Sequence, residues 1–214
     1  MSAEAHEELL NVYDAEGTVI GARRRREAKA SGLVVGAVNI LVTNAVGEVL
    51  LQRRPDDKEN GGHWDKSVGG HVSAGEEFDQ TAVREAGEEL FDDPSAAAVR
   101  LAADEKEFRA LLEEGAVARN VVLRRVGFQR NLRDVRHAPG GGVRNVLYHL
   151  AIYSGRSDLA IESYRPQPSE IVELRYFDFA AVDRLLLEGA LAPNMAFLWL
   201  TQAQALRTSA ATGR

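Results

Sequence analysis

Residues 69–90, Gly-Gly-His-Val-Ser-Ala-Gly-Glu-Glu-Phe-Asp-Gln-Thr-Ala-Val-Arg-Glu-Ala-Gly-Glu-Glu-Leu, constrain this chain more than any other stretch, because they join a glycine loop to an acidic helix. Ser73-Ala-Gly-Glu76 has the spacing of a capping box, in which hydroxyl and carboxylate satisfy free amide hydrogens of a first turn. A helix is therefore predicted from near Gly75. At about 100° per residue, Phe78, Ala82, Val83, Ala86 and Leu90 form an apolar stripe, and Glu85, Glu88 and Glu89 share a neighbouring arc. One side packs while the other gathers negative charge.

Like charges at i, i+3 and i+4 destabilise an isolated helix by a few tenths of a kcal/mol per pair. A bound cation reverses that sign. Hard divalent ions such as Mg2+ take oxygen ligands in a near-octahedral shell of carboxylates, waters and substrate phosphates. Gly69 and Gly70 could add backbone carbonyls, since neither has a Cβ to hold the chain away from an ion or a phosphate. The plain alternative is that a glutamate run is a solvated helix face.

The full spacing weighs against that alternative. Gly70, five residues, Glu76, seven residues, then Arg84-Glu85-Ala86-Gly87-Glu88-Glu89 resembles the Nudix box, Gly-x5-Glu-x7-Arg-Glu-U-x-Glu-Glu-x-Gly-U, where U is bulky and apolar. Six of the seven fixed positions match. Phe91 stands where the box has its last glycine, Asp92 where it has an apolar residue, and Ala86 is small for its place.

Composition sets the outer limits. The 214 residues are 45% hydrophobic, enough for one full core. A net charge of −6 argues against a broad basic surface for a nucleic-acid polymer. The absence of cysteine excludes disulfides, thiolate zinc sites and a cysteine nucleophile. The acidic start lacks the apolar core of a signal peptide, and the apolar run at 33–42 is too short to span a bilayer. A cytoplasmic protein without membrane contact is expected.

Along the chain, Asp14-Ala-Glu-Gly17 marks a turn between Leu9–Tyr13 and Thr18–Gly21, predicting an N-terminal hairpin. Arg23–Arg26 reads as a solvated turn, with phosphate contact as the alternative. Val34–Val42 and Val49–Gln52 read as central strands. Arg53, Arg54, Lys58 and Lys66 are candidate diphosphate contacts near the glycine loop, and His71 could orient substrate. Trp64 reads as a packing anchor.

Beyond the acidic helix, Asp92-Asp93-Pro94 is a stop, and Asp104–Glu114 reads as an amphipathic helix ending at Gly115, within an insertion or lid at about 92–120. Val121–Val135 and Val143–Tyr153 read as long strands joined by a glycine loop, with His137 a weak candidate, that could cover a site. Glu173–Asp178 is a further strand and Phe179–Glu188 a helix capped by Asp178. A last helix from Pro193, rich in large apolar residues, suits either the core or a homodimer contact. Residues 1–207 are expected to form one domain, with a disordered tail from Thr208.

The Nudix resemblance implies an α/β/α sandwich around a mixed central sheet. It implies metal binding by Glu85, Glu88 and Glu89, one of them also activating water. It gives Glu76 and Arg84 a supporting salt bridge. It also implies Mg2+ or Mn2+ as cofactor and hydrolysis of a small phosphorylated substrate, a nucleoside di- or triphosphate or related diphosphate derivative. Leu9–Leu90 further resembles the isopentenyl-diphosphate isomerase-like branch, through Asp14–Gly17, Leu50–Arg54 and Trp64-Asp65 ahead of Ser67–His71. That branch's isomerases use a cysteine where Gly69 stands, so isomerisation is not expected. Outside the box, Glu170 and Glu173 are further candidate metal ligands. The rival readings are a non-catalytic Nudix module that senses a nucleotide and a structural scaffold.

Overall fold

The run Val34–Thr43 is buried along nearly its whole length, which suits a strand covered on both faces, and the sheet is built outward from it. The computed structural model describes residues 8–137 and 143–212. In chain order the elements are β1 (Leu9–Tyr13), β2 (Val19–Arg24), α1 (Arg25–Ala30), β3 (Val34–Thr43), β4 (Val49–Arg53), β5 (Trp64–Asp65) and β6 (Val68–His71). There follow α2 (Phe78–Phe91), β7 (Val99–Leu101), α3 (Glu105–Glu113), β8 (Val121–His137), β9 (Val143–Arg156), β10 (Glu173–Phe177), α4 (Phe179–Leu187) and α5 (Pro193–Thr212).

The strands form one mixed sheet with the main order β10-β4-β3-β9-β8-β7. One edge of β3 runs parallel to β9 from Val34 to Thr43. Three antiparallel partners share the other edge: β1 at Val34 and Val35, β6 from Ala37 to Ile40, and β4 at Val42 and Thr43. β4 therefore leaves β3 after a short pairing and continues against β5 and β10, while β6 takes its place.

Alternation along β3 supplies two cores. Val38, Ile40 and Val42 pack with Ala82, Ala86 and Leu90 of α2. Leu41, from the other face, packs with Val182 of α4 and with Met195, Leu198 and Trp199 of α5. This is the expected α/β/α layering. Leu90 is fully buried, so Leu90→Ala would cost about 2–5 kcal/mol. Trp64 is the packing anchor expected of it, meeting Phe177 edge-on at 4.7 Å.

Several local expectations change. α2 begins at Phe78 rather than near Gly75, and the Glu76 carboxylate is engaged by Arg84 and Thr81 from within the helix. Glu77 and Gln80 form the capping box instead. At the other end Phe91 stays helical, and Asp92 takes the left-handed turn with φ 51°. Phe91 stacks on Tyr164 at 5.5 Å, so the side chain replacing the box glycine is used in packing.

The segment after α2 completes the sheet. β7 pairs in parallel with β8 at its edge, and α3 packs Phe108 and Leu111 against Val122. The arginine cluster is not a turn, since β2 ends at Arg24 and α1 starts at Arg25. Thr208, expected to open a disordered tail, lies inside α5, whose Leu198 and Trp199 make it a core helix. The loop at 138–142 and the side chain of His137 lie outside the described residues.

Candidate active site

β6 is held against β3 between Ala37↔His71 and Ile40↔Val68, and its two glycines are closely approached by different side chains. A Cβ on Gly70 would stand 1.9 Å from Oε1 of Glu85. A Cβ on Gly69 would stand 2.0 Å from Cε of Lys66. Any side chain at 70 would expel the glutamate, and any at 69 the lysine.

Arg84 ties the acidic helix to the loop before it. Its Nε and Nη2 donate to the two carboxylate oxygens of Glu76 at 2.8 and 3.0 Å, and its Nη1 lies 2.9 Å from Glu88 and 3.1 Å from Glu85. Burial works against the Arg84 charge, but the bond to Glu76 and the nearby Glu85 and Glu88 outweigh it, so its pKa lies above the ordinary value. Burial also raises Glu76, yet Arg84 and Thr81 bring it below its ordinary value. β1 holds the same loop, since Asn11 donates to the Glu76 carbonyl at 2.9 Å and accepts from the Gly75 amide at 3.1 Å.

Glu85, which faces Gly70, and Glu89 behave differently. The side chain of Glu85 is 13% exposed, and burial pushes its pKa up to about 7 against the pull of Arg84. Glu89 accepts from Gln52 Nε2 at 3.0 Å, and burial together with the charge on Glu85 pushes it up to about 8. Such carboxylates favour a nearby positive charge.

Both line a cleft of about 360 Å³ with Glu88, Arg84, Gly69, Gly70, His71, Lys66 and Arg54. Nine of the twelve residues expected at the site are thus brought together. Arg53 and Lys58 are absent from the cleft lining, being engaged by Glu173 and Glu170 at 3.5 and 2.9 Å. Glu76 lies behind Arg84. Of the two further candidate metal ligands, Glu170 lines the cleft, paired with Lys58, and Glu173 does not.

The cleft also holds Arg25, from the cluster whose alternative reading was a phosphate contact, and residues that sequence reasoning missed: Lys29 of α1, Asp65, Asn39, Tyr148, Leu150, Asn194 and Phe197. Asn39, a polar residue inside an apolar strand, was a usable signal. Nothing local marks Tyr148 or Phe197. No residue of the segment 92–120 lines the cleft, so that segment is an edge of the sheet and not a lid.

Among the described residues, no three of His, Cys, Asp and Glu are already gathered at metal-binding distance. Glu85 and Glu88 are drawn towards Arg84, and Glu89 towards Gln52. The donor set nevertheless fits a hard divalent ion, because three carboxylates of one helix enter one cleft and one of them lies against the bare backbone of Gly70.

Comparison with known proteins agrees with this geometry. Residues 33–110 match the NUDIX domain family model. An uncharacterised Nudix hydrolase of Pseudomonas aeruginosa is 37% identical over 89 residues, 41% of this chain and 53% of that protein. Another from Streptomyces coelicolor is 36% identical over 111 residues, 51% of this chain and 58% of that protein. The chain spans about half the length of the curated relatives it matches. The crystal structure of DR0079 from Deinococcus radiodurans shares the fold, with TM-score 0.61 and 20% identity over 89% of this chain and 96% of that one. Over residues 33–110 the chain is similar to a Nudix domain. Among the described residues no helix is long and apolar enough to cross a membrane.

Proposed function

We propose that the protein hydrolyses a diphosphate linkage in a nucleoside di- or triphosphate, or another nucleoside diphosphate derivative, with Mg2+ or Mn2+ bound. The observation that carries this reading is the burial of Glu85 and Glu89 in one cleft, Glu85 against Gly70. The matched domain and relatives named as Nudix hydrolases support it. The substrate is a small phosphorylated molecule of the cytoplasm and not a nucleic-acid polymer.

Glu85, Glu88 and Glu89 would hold the ion, with the carbonyls of Gly69 and Gly70 as neighbouring donors. When bound, the ion supplies positive charge for the phosphate oxygens and acidifies a water molecule. Glu76 and Arg84 fix the helix so that the carboxylates stay in register with β6. One of the three glutamates accepts the proton of the attacking water as its oxygen bonds to phosphorus, and the bridging P–O bond breaks to release phosphate or a phosphomonoester. Leu150, Tyr148 and Phe197, with Asn39 and Asn194, line the side of the cleft that the rest of the substrate would occupy.

Phosphate release from a panel of nucleoside di- and triphosphates, dinucleoside polyphosphates and nucleotide sugars tests the reading. Release should require Mg2+ and fall sharply in Glu89→Gln. Release that survives excess chelator, or is unchanged by the substitution, would remove the assigned site.

One observation favours a second reading, a non-catalytic nucleotide-binding sensor: Arg84 engages both Glu85 and Glu88. Saturable nucleotide binding without turnover across the panel would select it. A homodimer would draw on the outer side of α5, where Leu200 is 72% exposed, and a light-scattering mass tests that assembly.

A further inference from the structure

Lys66 lies one residue beyond β5 and two before β6, and it is 8% exposed although it carries a charge. Its ammonium reaches both oxygens of Asp65 at 3.2 and 3.4 Å. Arg54 Nη1 reaches the same carboxylate at 3.4 Å, so one acid serves two cations in this corner of the cleft. Asp65 is itself buried, at 3% exposure, and its Oδ1 also accepts the Lys66 amide at 2.8 Å. Glu89 lies close enough for its charge to couple to both Lys66 and Asp65.

The stem of Lys66 runs directly across Gly69. A Cβ there would lie 2.0 Å from Cε, 2.9 Å from Nζ and 3.1 Å from Cδ, three contacts with one side chain. Alternation on β6 sends Gly70 and Gly69 to opposite faces, the first towards Glu85 and the second towards Lys66. On β3 the partner of Gly69 is Asn39 and the partner of Gly70 is Val38, which packs under α2, and both line the cleft. Lys66 thus lies over the Asn39 face of β6, in the same cleft as the carboxylates of α2.

We propose that Lys66, shared with Arg54 across Asp65 and seated in the groove left by Gly69, binds a second phosphate of the substrate, next to the one held by the glutamate-bound ion. Two cations share the one Asp65 carboxylate, so an incoming phosphate oxygen can take a donor from each without uncovering Asp65. A lysine suits this place because a compact ammonium can turn towards an oxygen while its stem stays fixed. The site accordingly selects ligands with two linked phosphates over a lone phosphate. This rests on the diphosphatase reading and assigns it a residue that the glutamate pattern does not contain.

The test is calorimetric binding of methylenediphosphonate and of inorganic phosphate, each with Mg2+, to the full chain and its variants. Wild type should bind the diphosphonate more tightly than phosphate. Lys66→Ala should weaken diphosphonate binding by at least about tenfold, the scale of one charge-assisted hydrogen bond, and leave phosphate binding within about twofold. Gly69→Ala, which drives the lysine from its groove, should lose the same affinity and melt lower. The double variant should recover the melting temperature, since the overlap is gone, but not the affinity.

Diphosphonate binding by Lys66→Ala within about twofold of wild type would overturn the proposal, as would equal losses for both ligands. Lys66→Ala retains the Arg54–Asp65 pair, so the decision does not depend on whether Gly69→Ala folds. Turnover plays no part in the readout. A wild type that is inactive yet binds diphosphonate through Lys66 would defeat the hydrolase reading and leave this one standing. An active wild type with unchanged binding in Lys66→Ala would do the reverse.

Discussion

α2 and α3 are both rich in glutamate, both close a carboxylate cap on their first turn, and both pack one face on the sheet, yet only α2 borders the cleft. On α3 the acids reach solvent: Glu105 is 49% exposed, meets Arg124 of β8 with one oxygen, and with the other bonds Arg109 one turn on, also exposed. That pair is an ordinary surface contact worth a few tenths of a kcal/mol. On α2 Glu85 is 13% exposed and lies against a strand that has no Cβ to keep it away. Acidity is common to the two helices. Burial beside a bare backbone belongs to one.

The sharpest way to break this contrast is to neutralise one glutamate on each helix. Glu85→Gln should lower Mg2+-dependent phosphate release by more than about 100-fold, since even outer partners of metal ligands cost 10- to 100-fold. Glu105→Gln should leave the rate within about twofold, as expected of an exposed pair. Comparable losses in both variants, measured on the best substrate of the panel, would refute the division of roles.

The second consequence concerns the metal-free protein. Glu85 and Glu89 sit at about 7 and about 8, above the ordinary 4.5, so between those values the folded state binds more protons than the unfolded one. Stability should therefore be greatest below about pH 4.5 for these two groups and be lost as pH rises through 7 and 8. Mg2+ at a hundredfold excess over its dissociation constant should return about 2.7 kcal/mol. The gain in melting temperature should be larger at pH 8 than at pH 5, because protons compete for the same carboxylates. An equal gain at both values, or in Glu105→Gln alone a loss of it, would contradict the assignment.

The glycines offer the third comparison. Gly70→Ala places a methyl 1.9 Å from the Glu85 carboxylate and should cost about 1–3 kcal/mol while suppressing turnover. Gly115, past the end of α3, has φ +71° and nothing within 4 Å of a Cβ, so Gly115→Ala should cost about 1–2 kcal/mol of backbone strain and leave the rate unchanged. Chemical denaturation and initial rates separate the two.

Much of this was legible in the chain. The apolar stripe of α2, the strands β3 and β4 and the cap at Asp178 follow from local periodicity and residue type, and the Arg84–Glu76 pairing follows from the family resemblance. The start of α2 was missed, and Ser73–Glu76 spacing cannot reveal that Glu76 is taken by an arginine on the following helix. Arg53 and Lys58 looked like site residues through nearness in sequence, but glutamates from the β10 side engage them. Tyr148 and Phe197 reach the cleft only through the parallel register of β9 on β3 and the packing of α5, which are tertiary facts.

The smallest effect tests whether α3 stands apart from the chemistry. Asp104 caps α3 by accepting from the Glu107 amide at 2.8 Å, and Glu107 returns to the Ala103 amide at 2.7 Å. Asp104→Ala should cost about 1 kcal/mol, the usual value of such a cap. It should fray a helix whose Phe108 and Leu111 pack on Val122, at the far edge of the sheet from β4 and β6. Turnover per folded molecule should then stay at the wild-type value, even as the urea midpoint falls. A matching fall in turnover would mean that the edge formed by β7 and α3 holds β8 and β9, and through them Tyr148 and Leu150, in the register the cleft requires.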